Sequence, residues 1–232
     1  MKLSWINDDE LTKSVAGLLE IAKAAKTKVE EEPGKNVIDP FSAIFEMAGF
    51  GMSYDEWIKS EKARQAQKTL QNFVGEFHQN ILGLCKGWDN MGKGKIIDLH
   101  SADKKIVAEI KNKYNTLSGG KLADLYKSLE NLVMDKASMY KGFTAYYVSI
   151  IPDKPERFNK PFTPSDKEKG QKCTSNDAIR YIDGASFYSL VTGEHNALEK
   201  LFDTLPLIIS SITGNTLIDN TDVKKLFKMA YK

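Results

Sequence analysis

Apolar positions in the first eighty residues recur at helical spacing. Leu11, Val15, Leu18, Leu19 and Ala22 follow a capping Asn7 or Asp8, which predicts a helix that stops near Pro33-Gly34. Asp39-Pro40 is a cap followed by proline at the first helical position, and Gly49 or Gly51 closes the short helix behind it. Ser53-Tyr54-Asp55-Glu56 is a capping box. The helix or helix pair after it carries Ala63, Ala66, Leu70, Phe73, Phe77 and Ile81 on one stripe, expected to be core.

The pattern shortens after Gly87. Behind Gly92-Lys93-Gly94, residues 95–99 read as a strand and residues 105–111 as a second one, with turn residues 101–104 between them. Ser118-Gly119-Gly120 opens a helix with Leu122, Leu125, Leu129, Leu132 and Val133 on one face. Residues 142–151 form the strongest strand pattern, stopped by Pro152, and a polar, proline-containing loop runs to about residue 175. Helices are expected at 177–190, 197–211 and 219–231. The sum is an α/β (or α+β) fold in one domain over 1–232. It has a helical N-terminal part (1–85), a core with a small mixed sheet (86–195) and C-terminal helices (196–232).

Composition narrows the class. A chain of 232 residues with 41% hydrophobic and 28% charged residues can bury a sizeable core. No apolar run approaches the roughly 18 residues of a membrane helix. Asp8, Asp9 and Glu10 follow the start at once, unlike a secretory signal peptide. Cys85 and Cys173 stand apart, with no disulfide framework or zinc knuckle around them. A cytoplasmic globular protein is expected.

The net charge of +2 argues against a nucleic-acid partner until it is resolved along the chain. Residues 93–121 hold seven lysines and three acids, and residues 136–172 hold eight basic and four acidic residues. Residues 1–32 hold seven acidic and five basic residues. The cations thus gather where phosphates would lie if the middle of the chain met a nucleic acid.

The predicted hairpin carries the chemistry. If Asp98 and Glu109 pair across the turn, their midpoint falls between Asp103 and Lys104, among the turn residues, so the two carboxylates lie on antiparallel neighbours. Strand alternation puts Glu109 and Lys111 on one face and Ile106, Ala108 and Ile110 on the other. Two carboxylates and an ammonium at one edge suit Mg²⁺-dependent phosphoryl chemistry. The lysine could orient the attacking water and offset charge growing on the phosphate. A solvated Glu–Lys pair on an exposed strand face is the alternative.

Asp98, the hairpin, Glu109-Ile110-Lys111 and the Gly-Gly-led helix resemble the PD-(D/E)-x-K nuclease core. Ile97 stands where that motif has its proline. The wider sequence is similar to type II restriction endonucleases that cut GGNCC or related sites. The stretches that carry this similarity are residues 73–83, 109–116, 140–147, 162–166 and 182–188, and it extends over roughly 1–210. The resemblance implies Asp98 and Glu109 as Mg²⁺ ligands, with the Ile110 carbonyl a possible third, and Lys111 as the catalytic lysine. It also points to Glu76, on the preceding helix, as an additional acid.

For double-stranded DNA, the chain offers only three guanidiniums, Arg64, Arg157 and Arg180, for bidentate reading of guanine. Asn112, Lys113 and Asn115 follow the active strand, and Lys160 and Lys167 lie in the loop. His78 reads as a helix-surface residue and His100 as structural. A palindromic substrate favours a two-fold homodimer, joined through the C-terminal helices or the N-terminal helix. A cognate DNA methyltransferase is expected in the same system, without being a stable partner. Two rivals remain: a PD-(D/E)-x-K nuclease of DNA repair or recombination, and a noncatalytic DNA-binding module.

Overall fold

A computed structural model describes residues 3–31, 37–92, 94–215 and 220–231. Three helices come first: α1 (Asp8–Glu31), α2 (Pro40–Phe50) and α3 (Tyr54–Gly83). The strands β1 (Asp89–Asn90), β2 (Leu99–Ser101) and β3 (Ile106–Lys113) follow, then α4 (Gly119–Met134) and β4 (Thr144–Ile151). The segment after Pro152 adds β5 (Asn159–Pro161), β6 (Ser165–Asp166) and β7 (Gln171–Lys172). The chain continues with β8 (Ile179–Asp183), α5 (Gly184–Thr192), α6 (Ala197–Thr213) and α7 (Asn220–Ala230).

The caps behave as their side chains dictate. Asn7 Oδ1 accepts from the backbone N–H groups of Asp9 and Glu10. Asp39 accepts from Phe41 and Ser42, and Gly51 ends α2 in the left-handed conformation that glycine allows. Ser53 and Glu56 close a reciprocal capping box before α3. The expected stop at Pro33-Gly34, Lys93 and the first residue of the expected 219–231 helix lie outside the described residues.

Mixed pairing builds a six-stranded sheet in the order β1-β2-β3-β4-β8-β5. β3, β4 and β8 run parallel in its centre, with β2 antiparallel to β3 and β5 antiparallel to β8. β4 is nearly continuous apolar sequence because both of its faces are covered. On one face Val107, Ala145, Tyr147 and Ile179 pack with Tyr126, Leu129 and Val133 of α4. On the other, Tyr146 meets Phe187 of α5, which in turn meets Trp88. The fold is mixed α/β, as the residue pattern requires.

Three expectations are corrected. Residues 179–183 are strand, not helix: Ile179 and Ile182 are buried and Tyr181 stacks on Tyr147, so lateral pairing with β4 prevails over local helical signals. The first hairpin strand starts at Leu99, with Ile96 exposed and Ile97 buried ahead of it. The α3 stripe is core only at Phe77 and Ile81, since Ala63 is exposed and Ala66, Leu70 and Phe73 are half-buried.

By internal contacts the chain divides into two compact units. One holds the start of α1 and everything from Phe77 onward, including the whole sheet. The other is Ala16–Glu76. Within it Trp57 is buried and its indole donates to Glu46 at 2.9 Å, tying α3 to α2. No helix among the described residues is long and apolar enough to cross a membrane.

Candidate active site

The hairpin register sets the site. Leu99 pairs with Ala108, His100 with Val107 and Ser101 with Ile106. Asp98 stands one residue ahead of this ladder, and its carboxyl meets that of Glu109. Asp98 lies just ahead of β2, and its carboxylate accepts from the Ile110 N–H at 2.7 Å. Its own N–H donates to the Ala108 carbonyl at 2.8 Å. Asp98 is thus fixed at both backbone and side chain.

Glu109 and Lys111 share a strand face, and the Lys111 ammonium donates to Glu109 Oε1 at 2.5 Å. The Glu109 side chain is only 12% exposed and that of Lys111 25%. Burial, then the charge of Asp98, push the Glu109 carboxyl up to about 7. Burial likewise raises Asp98, while the Ile110 N–H and Lys111 pull the other way. Two carboxyls side by side resist ionising together, so the pair either shares a proton or holds a cation.

The parallel strands extend this face. Glu109 pairs with Tyr147, which pairs with Tyr181, and Lys111 pairs with Ser149, which pairs with Asp183. Tyr147 and Tyr181 stack with ring centroids 5.0 Å apart. The Tyr181 hydroxyl donates to Ser149 Oγ at 3.2 Å. The buried Tyr147 hydroxyl completes no hydrogen bond, although Ser149 lies beside it. These rings form the low-dielectric floor that desolvates Glu109. Sequence could show that Tyr147 and Ser149 alternate onto one face, but not that this face is the one holding Glu109.

The donor set fits a hard divalent cation. Asp98 and Glu109 provide two half-buried carboxylates with one ammonium close by. Among the described residues no cluster of three or more His, Cys, Asp or Glu side chains forms. Mg²⁺ is commonly held by one or two carboxylates, with water and substrate phosphate completing its shell.

The family description Eco47II restriction endonuclease matches residues 3–214. The chain belongs to that family. It is 50% identical to the type II restriction enzyme Eco47II of Escherichia coli, over 99% of this chain and 98% of that protein. It is also 33% identical to the type II restriction enzyme Sau96I of Staphylococcus aureus, over 89% of this chain and 79% of that protein. This member of the Eco47II family is a sequence-specific restriction endonuclease, a phosphodiester hydrolase acting on DNA.

The remaining sequence-selected residues of this family member divide by what they already hold. Lys113 and Asn115 are exposed at the end of β3, and Lys160 and Lys167 are exposed beyond Pro152. The Lys160 ammonium lies 5.0 Å from the Phe158 ring centroid and 5.7 Å from that of Tyr181. Asn112 is half-buried with its Oδ1 buried and unpaired. Arg64 is engaged twice by Glu61, at 2.6 Å through each of Nε and Nη2. Arg180 holds Asn159 through its side-chain oxygen and its carbonyl. Arg157 clamps Ser186, Ser189 and the carbonyls of Ala185 and His195. Glu76 is half-buried on α3.

His78 departs from the surface role expected of it: its Nδ1 lies 2.8 Å from the Tyr188 hydroxyl and its ring packs edge-on against Phe77 and Tyr188. His100 is structural, stacked on Phe143 and edge-on to Tyr140.

Proposed function

We propose that the chain hydrolyses one phosphodiester bond in each strand of a short GGNCC-like palindrome in double-stranded DNA, leaving 5′-phosphates. It acts with Mg²⁺ and as a two-fold homodimer. The observation that carries this reading is the half-buried Asp98–Glu109 carboxyl pair with the Lys111 ammonium 2.5 Å from Glu109. Mg²⁺ held by Asp98 and Glu109 would polarise the phosphate and lower the pKa of a bound water. Asp98 keeps its aim because the Ile110 N–H fixes one of its oxygens. Lys111, oriented by Glu109, holds the attacking water in line and offsets charge developing on the phosphate oxygens.

Glu76 is assigned a supporting acidic role, and the DNA contacts are assigned to Asn112, Lys113, Asn115, Lys160, Lys167, Arg64 and Arg180. The exposed lysines suit phosphate contacts, which position DNA without reading sequence. Arg64 and Arg180 must exchange Glu61 and Asn159 for a base before they read one. The enzyme works in the cytoplasm, beside a methyltransferase that modifies the same site in host DNA.

Digestion of plasmid DNA with Mg²⁺, followed by sequencing of the ends, tests this reading. Discrete fragments with one palindrome at every end and 5′-phosphates are expected. A smear, or cutting confined to branched DNA, would favour a repair nuclease. Binding without cutting in Mg²⁺ or Mn²⁺ would favour a noncatalytic DNA-binding module.

A further inference from the structure

α2 is the most apolar helix surface left bare among the described residues. Phe41, Ile44, Phe45 and Ala48 stand at i, i+3, i+4 and i+7, the spacing of a face that packs against another surface. Yet Phe41 is 75% exposed, Ile44 61% and Phe45 76%. Tyr54, at 65%, and Val37, at 99%, lie beyond the two ends of α2, while Phe50, at 73%, is on the opposite side of the helix. Only Ala43 of α2 is fully buried. The helix itself is well formed, capped by Asp39 at one end and Gly51 at the other.

Area and charge say what can cover it. Three rings of roughly 200 Å² each, Phe41, Phe45 and Tyr54, about 70% exposed, together with Val37 and Ile44, offer roughly 700 Å². That exceeds the roughly 300–600 Å² of the largest apolar patch on a typical monomer. It comes close to the roughly 800 Å² that each partner contributes to a standard interface. Residues 37–54 contain no lysine or arginine. Their carboxylates at Asp39 and Glu46 cap α2 and accept from Trp57. A face without cations has no affinity for phosphate backbones or anionic lipid headgroups.

We infer that this face is the homodimer interface, with α2 of one subunit packed against α2 of a second copy. An uncharged patch is complementary to itself, which a two-fold contact requires. Two copies so joined present two catalytic hairpins, one for each strand of a palindrome. The inference rests on the proposed cutting of both strands, and it replaces both the C-terminal helices and the N-terminal helix as the dimer surface. Those helices spend Leu198 and Leu201 on the core and stack Phe202 on Phe227.

Sedimentation velocity on the full chain, parent and Phe41→Ser/Phe45→Ser, decides the matter, with plasmid cleavage measured alongside. The parent should sediment at twice the 26.0 kDa chain mass. The double variant should be a monomer with unchanged helical circular dichroism, at least 10-fold slower in double-strand cleavage. Should that variant fail to fold, Ile44→Cys treated with a short bis-maleimide should give a covalent dimer, and its absence overturns the proposal. A parent that is monomeric with and without DNA, or a variant that stays dimeric, also overturns it. A monomeric parent that cuts both strands refutes the interface and spares the nuclease. A dimer lost in the variant, with no cleavage by either protein, refutes the nuclease and spares the interface.

Discussion

Lys111 is held by the acid it serves. Its ammonium lies 2.5 Å from Glu109, two strand positions along the same face, so the carboxylate orients it. Lys111→Ala should lower the single-turnover cleavage rate by roughly 10²–10³-fold, the loss typical of a preorganised charge-stabilising donor. Binding of the same duplex in Ca²⁺, followed by gel shift, should change little. Cleavage at the parent rate would remove this role from the lysine. Tyr147 gives an opposite kind of prediction. A buried hydroxyl without a partner is destabilising, so Tyr147→Phe should raise the urea-unfolding free energy by about 1 kcal/mol. A fall of that size would mean that the hydroxyl is satisfied.

Elements were legible where short-range chemistry decides them. Asp39-Pro40 and Ser53–Glu56 announce α2 and α3 because a cap and its helix lie within four residues of each other. The Asp98–Glu109 juxtaposition was legible because a tight turn brings both ends of the hairpin together, although Asp98 itself falls just outside the paired register. β8 was not: its strand state depends on parallel pairing with β4, about thirty residues earlier, which no local pattern encodes. The tyrosine floor beneath Glu109 was hidden for the same reason. The junction from β8 into α5 is the most constrained in the sheet. Asp183 accepts from Phe158 and Ser186, and a Cβ on Gly184 would stand 2.3 Å from the Ile150 carbonyl oxygen. Gly184→Ala should therefore destabilise the fold by roughly 3 kcal/mol, read from the shift of the urea midpoint. A shift under a quarter of that would show that the strand can retreat.

At the scale of the whole molecule, pH and stability are linked through His78. Its packing against Phe77 and Tyr188 pushes the imidazole down to about 4, from the usual value near 6.5. Between those values the unfolded chain binds a proton that the folded chain refuses. Stability is therefore full above about pH 6.5 and is lost as pH falls toward 4, by up to about 3 kcal/mol. Urea titrations across this window should show that slope in the parent and a flatter one in His78→Gln. Equal slopes would assign the acid sensitivity elsewhere. The net charge of +2 misled because it averages an acidic start with basic middle segments, two of whose acids face each other in the hairpin. The proposed catalysis depends most directly on one of those acids. Glu109→Gln keeps the shape and removes the charge, so in single-turnover assays on a mapped cleavage site it should bind the duplex and leave both strands intact in Mg²⁺. Cutting by this variant at the parent rate would contradict the assignment of the hairpin as the catalytic centre.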